Sequence, residues 1–416
     1  MAVIEKRLSR TFKRFVASEK AGGILLIVGT VISLILANSL VGEDYLRLWQ
    51  VPVAGLRIEH WINDALMAIF FLLIGLELER ELYNGELSNV RNALLPICAA
   101  AGGIAVPALI HFAFNGGLPT QAGVGIPMAT DIAFALGVLA LLGSRVPASL
   151  KIFLTALAVM DDLGAIIVIA VFYTAELAFA YLLGALAVFG VLVCMNRMLR
   201  VQSLALYLAG GAIMWVLMLK SGVHATIAGV LLAFAIPYSA KQDDEASPSH
   251  RLEHFLHKPV AFVILPIFAL ANTGIVIGPD WAGDLASPNS IGILAGLVLG
   301  KPLGIVLLSF LAVAAGLCRL PLDLRWRHVV GAGLLGGIGF TMSIFITNLA
   351  FAGEADTINA SKMAILLASC AAGLAGFAWL KAFGKPVAFD RDMETMDFES
   401  DQALSAAGRG RRAAGP

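Results

Sequence analysis

Leu154-Thr155-Ala156-Leu157-Ala158-Val159-Met160-Asp161-Asp162-Leu163-Gly164-Ala165-Ile166-Ile167 lies inside an apolar run, 152–173, that holds only two charged residues, side by side. About twenty consecutive apolar residues match the thickness of a bilayer core. The run is therefore expected to be a membrane helix with two acids where acids are costly. Eleven more stretches share its character: 21–41, 60–79, 92–114, 121–143, 177–196, 203–219, 222–238, 259–278, 290–317, 329–351 and 361–384. The 416 residues are 59% hydrophobic and 14% charged, with mean hydropathy +0.86. Soluble domains carry about 25% charged residues, so a water-facing enzyme is excluded. Four scattered cysteines inside apolar runs exclude a secreted disulfide scaffold. The expected fold class is an all-α polytopic membrane protein with 12 transmembrane helices.

Basic residues orient the spans. The N-terminus, the loops after spans 2, 4, 6, 8 and 10, and the C-terminus hold 24 of the 29 lysines and arginines. The opposite loops hold only Arg47, Arg57, Lys220 and Lys362, and Lys301 is left inside a span. By the positive-inside rule both termini are expected in the cytoplasm. The first stretch follows Lys6, Arg7, Arg10, Lys13, Arg14 and Lys20 without a cleavage-type site, so it reads as an uncleaved span.

The domain plan is simple. Residues 1–20 form a cytoplasmic N-terminus, 21–384 one transporter domain, and 385–416 a polar tail expected to be disordered. The longest internal polar stretch, 239–258, is a cytoplasmic loop whose end, Arg251 to His257, is expected to make a short helical turn. Leu48 to Ile58 reads as extended, with Gly55 at a turn. No Gly-x-x-x-x-Gly-Lys-Ser/Thr loop and no second folded domain is present, so transport is expected to run on an ion gradient.

Asp131, Asp161, Asp162 and Lys301 stand mid-span, and Asp64 lies near the outer end of span 2. Ionisable groups there usually face a cavity or a partner. Pro127 removes a helical donor, so span 4 is expected to break just before Thr130-Asp131. Span 11 carries Gly331, Gly333, Gly336, Gly337 and Gly339. These glycines either break the helix or let helices approach closely. A shift of 211 residues places Thr130 on Thr341 and Leu163 on Leu374, a hint of two related halves.

A broken helix leaves partial charges at its ends. Asp131 at positive ends and Lys301 at negative ends would neutralise them without further chemistry. Lys301 alternatively carries a proton itself. Two neighbouring carboxylates repel and titrate as a coupled unit. Hard oxygen ligands suit a hard cation, so protons and a monovalent cation would compete for the Asp161-Asp162 pair. Adjacent helix positions point about 100° apart, so one acid is expected to coordinate while the other gates or relays, with Asp162 taken as the direct ligand. The bland alternative is two structural acids, one paired with Lys301.

Four segments carry a resemblance: Pro127-Met128-Ala129-Thr130-Asp131-Ile132-Ala133-Phe134-Ala135-Leu136-Gly137, Met160-Asp161-Asp162-Leu163-Gly164-Ala165, Gly300-Lys301-Pro302-Leu303-Gly304, and Gly336-Gly337-Ile338-Gly339-Phe340-Thr341-Met342-Ser343-Ile344-Phe345-Ile346. From about Ser18 to Lys385 the chain resembles the bacterial NhaA sodium/proton antiporters. The rule that paired interrupted helices mark the site of inverted-repeat transporters was itself drawn partly from that family. The resemblance implies inverted-topology repeats with spans 4 and 11 interrupted and crossing. It implies electrogenic export of Na+ or Li+ for external protons, two protons per sodium ion, serving pH and sodium homeostasis. It further implies an inner-membrane homodimer, held partly by a periplasmic β-hairpin at about 45–58 and contacted by lipids, with no cofactor and no nucleic acid.

By the same resemblance Asp161 and Asp162 bind the cation and protons, Thr130 and Asp131 sit at the crossing with Lys301 opposite, Gly336, Gly337 and Gly339 open span 11, and Asp64 lines an outer funnel. Activation at alkaline pH is implied for Glu77, Arg80, Glu81, Glu253, His254 and His257, with His224 apart from them. Those residues also read simply as a solvated charged rim. Glu79 and His250 depart from the family, where lysine is common at both positions, and the tail after Lys385 is long. An aspartyl protease would need a Gly-x-Gly-Asp signature and a serine protease a Gly-x-Ser-x-Gly-like site, and both are absent. A solute symporter would call for a group recognising the solute, and a passive channel would have no use for a titratable pair.

Overall fold

Inside a bilayer every backbone N–H and C=O must be satisfied within the segment, which leaves apolar runs little choice but the helix. The computed structural model describes residues 21–88, 90–173, 177–239 and 247–385. The expected N-terminus 1–20, the tail beyond 385 and the middle of the 239–258 loop lie outside them. The helices are α1 (Ala21–Ala37), α2 (Gly42–Gln50), α3 (Ile58–Asn84), α4 (Val90–Asn115), α5 (Ile132–Leu141), α6 (Ala148–Phe172), α7 (Phe179–Arg197), α8 (Leu204–Ser221), α9 (Ile227–Ala235), α10 (Pro248–Asn272), α11 (Pro288–Ala314), α12 (Trp326–Gly336), α13 (Phe340–Ala350) and α14 (Ala355–Phe383).

Among the described residues eight helices are long and apolar enough to cross a membrane, or up to eleven if each bent pair is one span. The chain is a multi-pass, mostly helical membrane protein. Two bent pairs fall where breaks were expected: Pro119–Met128 with α5 at 41°, and α12 with α13 at 45°. The third, α1 with α2, turns through 114°. Stretch 222–238 yields only the nine residues of α9, about 14 Å against a core of roughly 30 Å. Gly222 in the left-handed region precedes it and Pro237 follows. Of the most apolar 18 residues of each helix, 61% are buried in α6 and only 11% in α7, so α6 belongs to the interior and α7 to the periphery.

Three expectations are corrected. Arg251 to His257 is no isolated turn but the start of α10, whose first turn is capped by Ser247 and opened by Pro248. α10 also ends at Asn272, short of the expected 278. Of the segment expected to be extended, Leu48–Gln50 belong to α2. Ile58 starts α3, so the hairpin expected at about 45–58 is confined to β1 (Pro52–Val53) against β2 (Leu56–Arg57), with Pro52 opposite Arg57. Its turn residues, Ala54 and Gly55, both have positive φ, as a two-residue type I′ turn requires.

Two features place the interior site. α4 and α11 touch backbone to backbone, since a Cβ on Gly102 would run into the Gly304 carbonyl, and the converse. Immediately before Lys301 the α11 backbone widens into a π turn, Gly296–Gly300, a distortion common at functional positions.

Candidate cation-binding site

The break in the fourth span comes where Pro127 forecast it. Pro119–Met128 winds as a 3-10 helix, Ala129 is extended, and Asp131 caps α5 by accepting from Phe134 N at 2.9 Å. The break in the eleventh span is narrower than its glycine run. Gly331 and Gly333 stay helical and face Leu380 and Pro302, while the chain leaves the helix only across 337–339. Both readings of the glycines therefore hold, for different residues.

Hydrogen bonds bring the two breaks together. Asp131 N donates to Ile338 O at 2.7 Å, and the Thr130 hydroxyl reaches Gly336 O at 2.8 Å. Asp131 Oδ2 accepts from Thr341 N at 3.1 Å and Thr341 Oγ1 at 2.5 Å. Its carboxylate thus spans the N-terminal ends of α5 and α13, where a negative charge is favoured. Ser343 Oγ donates to Ile126 O at 2.7 Å, a second tie across the breaks.

The acidic pair stands beside this junction. Asp161, Asp162 and Lys301 are all 0% exposed. Lys301 Nζ donates to Asp161 Oδ2 and to the Met128 carbonyl, the negative end of the 3-10 stretch. Thr130 Oγ1 lies 2.6 Å from Asp161 Oδ2, so its single hydroxyl proton has two acceptors and serves one at a time. Asp161 Oδ1 and both oxygens of Asp162 have no hydrogen-bond partner. Buried carboxylate oxygens are nearly always partnered, so three together on adjacent residues form a site able to take protons or a hard cation.

A second cluster joins one end of α3 to the start of α10. Arg80 pairs with Glu253 and lies 3.3 Å from Glu81 Oε1; His257 Nε2 lies 3.2 Å from Glu77 Oε1. His254 is exposed and stands outside this network. Asp64 joins neither cluster; its backbone carbonyl accepts from Trp215 Nε1 at 3.3 Å. His224 is also separate, donating from Nε2 to the Tyr173 carbonyl at 2.7 Å.

Some contributors escaped the sequence reading, and Glu79 entered it only as a departure from the family. Glu79 is 6% exposed and accepts from Ser249 Oγ at 3.4 Å, so the departure from the family joins the rim. The Met128 and Gly336 carbonyls are backbone groups and carry no side-chain signal. Thr341 was visible as the image of Thr130 under the 211-residue shift and within the fourth resemblance segment, but with no role attached.

The family model described as Na+/H+ antiporter 1 matches residues 13–380. The chain belongs to this family. It is 74% identical over 383 residues to the Na(+)/H(+) antiporter NhaA of Dechloromonas aromatica (strain RCB), covering 92% of this chain and 98% of that protein. It is 59% identical to the Na(+)/H(+) antiporter NhaA 1 of Flavobacterium johnsoniae, over 90% of this chain and 97% of that one. Against the NhaA of Cytophaga hutchinsonii the identity is 58%, over 90% and 96%. Family members named in this way are transporters, so the buried acids of this antiporter-family chain are weighed as ion ligands rather than as groups acting on a bond.

Proposed function

We propose that the protein is an electrogenic Na+(Li+)/H+ antiporter of the bacterial inner membrane, exporting cytoplasmic sodium for external protons. The observation that carries the mechanism is the trio of unpartnered oxygens on Asp161 and Asp162, buried beside Lys301 at the meeting of two broken helices. With protons on the pair, the cation has no charge to bind. Once protons leave, two carboxylates face a hard cation that they suit. Two acids emptied per cation bound gives two protons per sodium ion, hence net charge movement. Asp162, with neither oxygen engaged, is the direct ligand; Asp161, held by Lys301 and Thr130, is the gate. Asp131 and Lys301 neutralise the helix ends.

The same reading has twelve helices in two inverted repeats with both termini cytoplasmic, Asp64 in an outer funnel, and a homodimer joined at the hairpin. Alkaline activation acts through the cluster of Glu77, Arg80, Glu81, Glu253 and His257, with His254 and His224 near it in sequence or alone. Geometry supports the first five as one unit, because ion pairs there bridge α3 and α10.

Everted vesicles with a respiration-driven pH gradient test the exchange. Dequenching of a ΔpH dye is expected with NaCl and LiCl but not KCl between about pH 6.5 and 8.5, where histidine-centred groups change charge. Asp162→Asn is expected to abolish it. No response of the wild type to either ion would sink the antiport reading in favour of solute symport.

A further inference from the structure

Tyr173 stands at the end of α6, twelve residues beyond Asp161. Its hydroxyl donates to Ala122 O at 2.7 Å and accepts from Gly125 N at 3.2 Å, both in the 3-10 stretch Pro119–Met128. At its other end that stretch leads to Thr130, which meets Asp161 on the same helix at 2.6 Å. One segment is thus tied to α6 at two points. Twelve residues of α-helix span roughly 18 Å. The six steps from Ala122 to Met128 span roughly 12 Å wound as 3-10 helix, against about 9 Å as α-helix, and the extended Ala129 carries the chain on to Thr130. Ten residues of 3-10 helix are unusual. Here the tighter, longer winding stretches the half-span until its ends reach both anchors. The Tyr173 carbonyl is itself held by His224 Nε2, which fixes the anchor to the loop before α9.

We propose that Tyr173 is a positioning residue of the transport site. Its hydroxyl sets the length and register of the 3-10 half-span, and so the place of the Met128 carbonyl and the Thr130 hydroxyl against Lys301 and Asp161. The inference rests on the antiport reading above. Tyr173 does not touch the ion; it acts through the segment that meets Lys301 and Asp161.

Initial rates in everted vesicles, normalised to the amount of folded protein, provide the test. Tyr173→Phe keeps the ring and removes one oxygen. Its apparent KM for Na+ and Li+ is expected to rise about tenfold, the order of one or two lost hydrogen bonds, with Vmax near that of the wild type. Gly125→Ala would set a Cβ 2.6 Å from the Tyr173 oxygen and displace it. It is expected to raise KM similarly in the wild type and little further beside Tyr173→Phe, since both act through one contact. A wild-type KM in Tyr173→Phe, a loss of Vmax alone, or independent effects of the two substitutions would overturn the positioning role while leaving antiport intact. A wild type that ignores Na+ would instead bring down the antiport reading, and this inference with it.

Discussion

Lys301 closes two loose ends at once, the Asp161 carboxylate and the last carbonyl of the 3-10 stretch. Removing one partner of a buried ion pair strands the other charge, at a cost of about 3–5 kcal/mol. Lys301→Met is therefore expected to lower thermal stability in detergent markedly, and adding Asp161→Asn to restore part of it. A single variant as stable as the wild type would show that the pair carries no folding energy. The lysine and the acids were legible in the sequence as charges in hydrocarbon. Their division of labour was not. Asp131 is occupied by Phe134 N and Thr341, the latter 210 residues away, whereas Asp162 engages nothing. Local spacing holds no record of such distant donors.

At the scale of elements, the π turn and the glycine contact hold α11 against α4 so that Lys301 enters the interior. Gly304 lies one turn beyond the lysine. Gly304→Ala must push α11 away from the Gly102 carbonyl, an overpacking that costs about 1–3 kcal/mol. A melting temperature lower by several degrees and a raised KM for Na+ are expected together, because the shift is carried to Lys301. Lowered stability with an unchanged KM would separate packing from positioning. Helix positions came mostly from hydropathy, since the bilayer imposes both length and internal hydrogen bonding. α9 and the start of α10 were misjudged for the opposite reason: neither boundary is set by apolar length. A glycine in the left-handed region and a proline bound α9, and a serine cap starts α10.

At the scale of the molecule, the hairpin is the one piece of sheet among the described residues, and its strands are largely exposed. Ala54 sits at φ 50°, which proline cannot adopt. If the hairpin joins two copies, Ala54→Pro is expected to reduce the particle mass in detergent to that of a monomer, with vesicle transport within about twofold of the wild type, since the interior site is untouched. An unchanged mass would place the dimer contact elsewhere. The sequence by itself determined that this chain lives in a membrane, that its fourth span breaks before Thr130, and which four charges lie mid-span. Each of those follows from a local rule of length, proline chemistry or desolvation. Only the tertiary structure decided that the breaks meet, that Tyr173 clamps one of them, that Glu79 joins the rim and His254 does not, and which carboxylate oxygens stay free. These are pairings between segments far apart in the chain, set by how helices pack against one another, and no local pattern of residues specifies them.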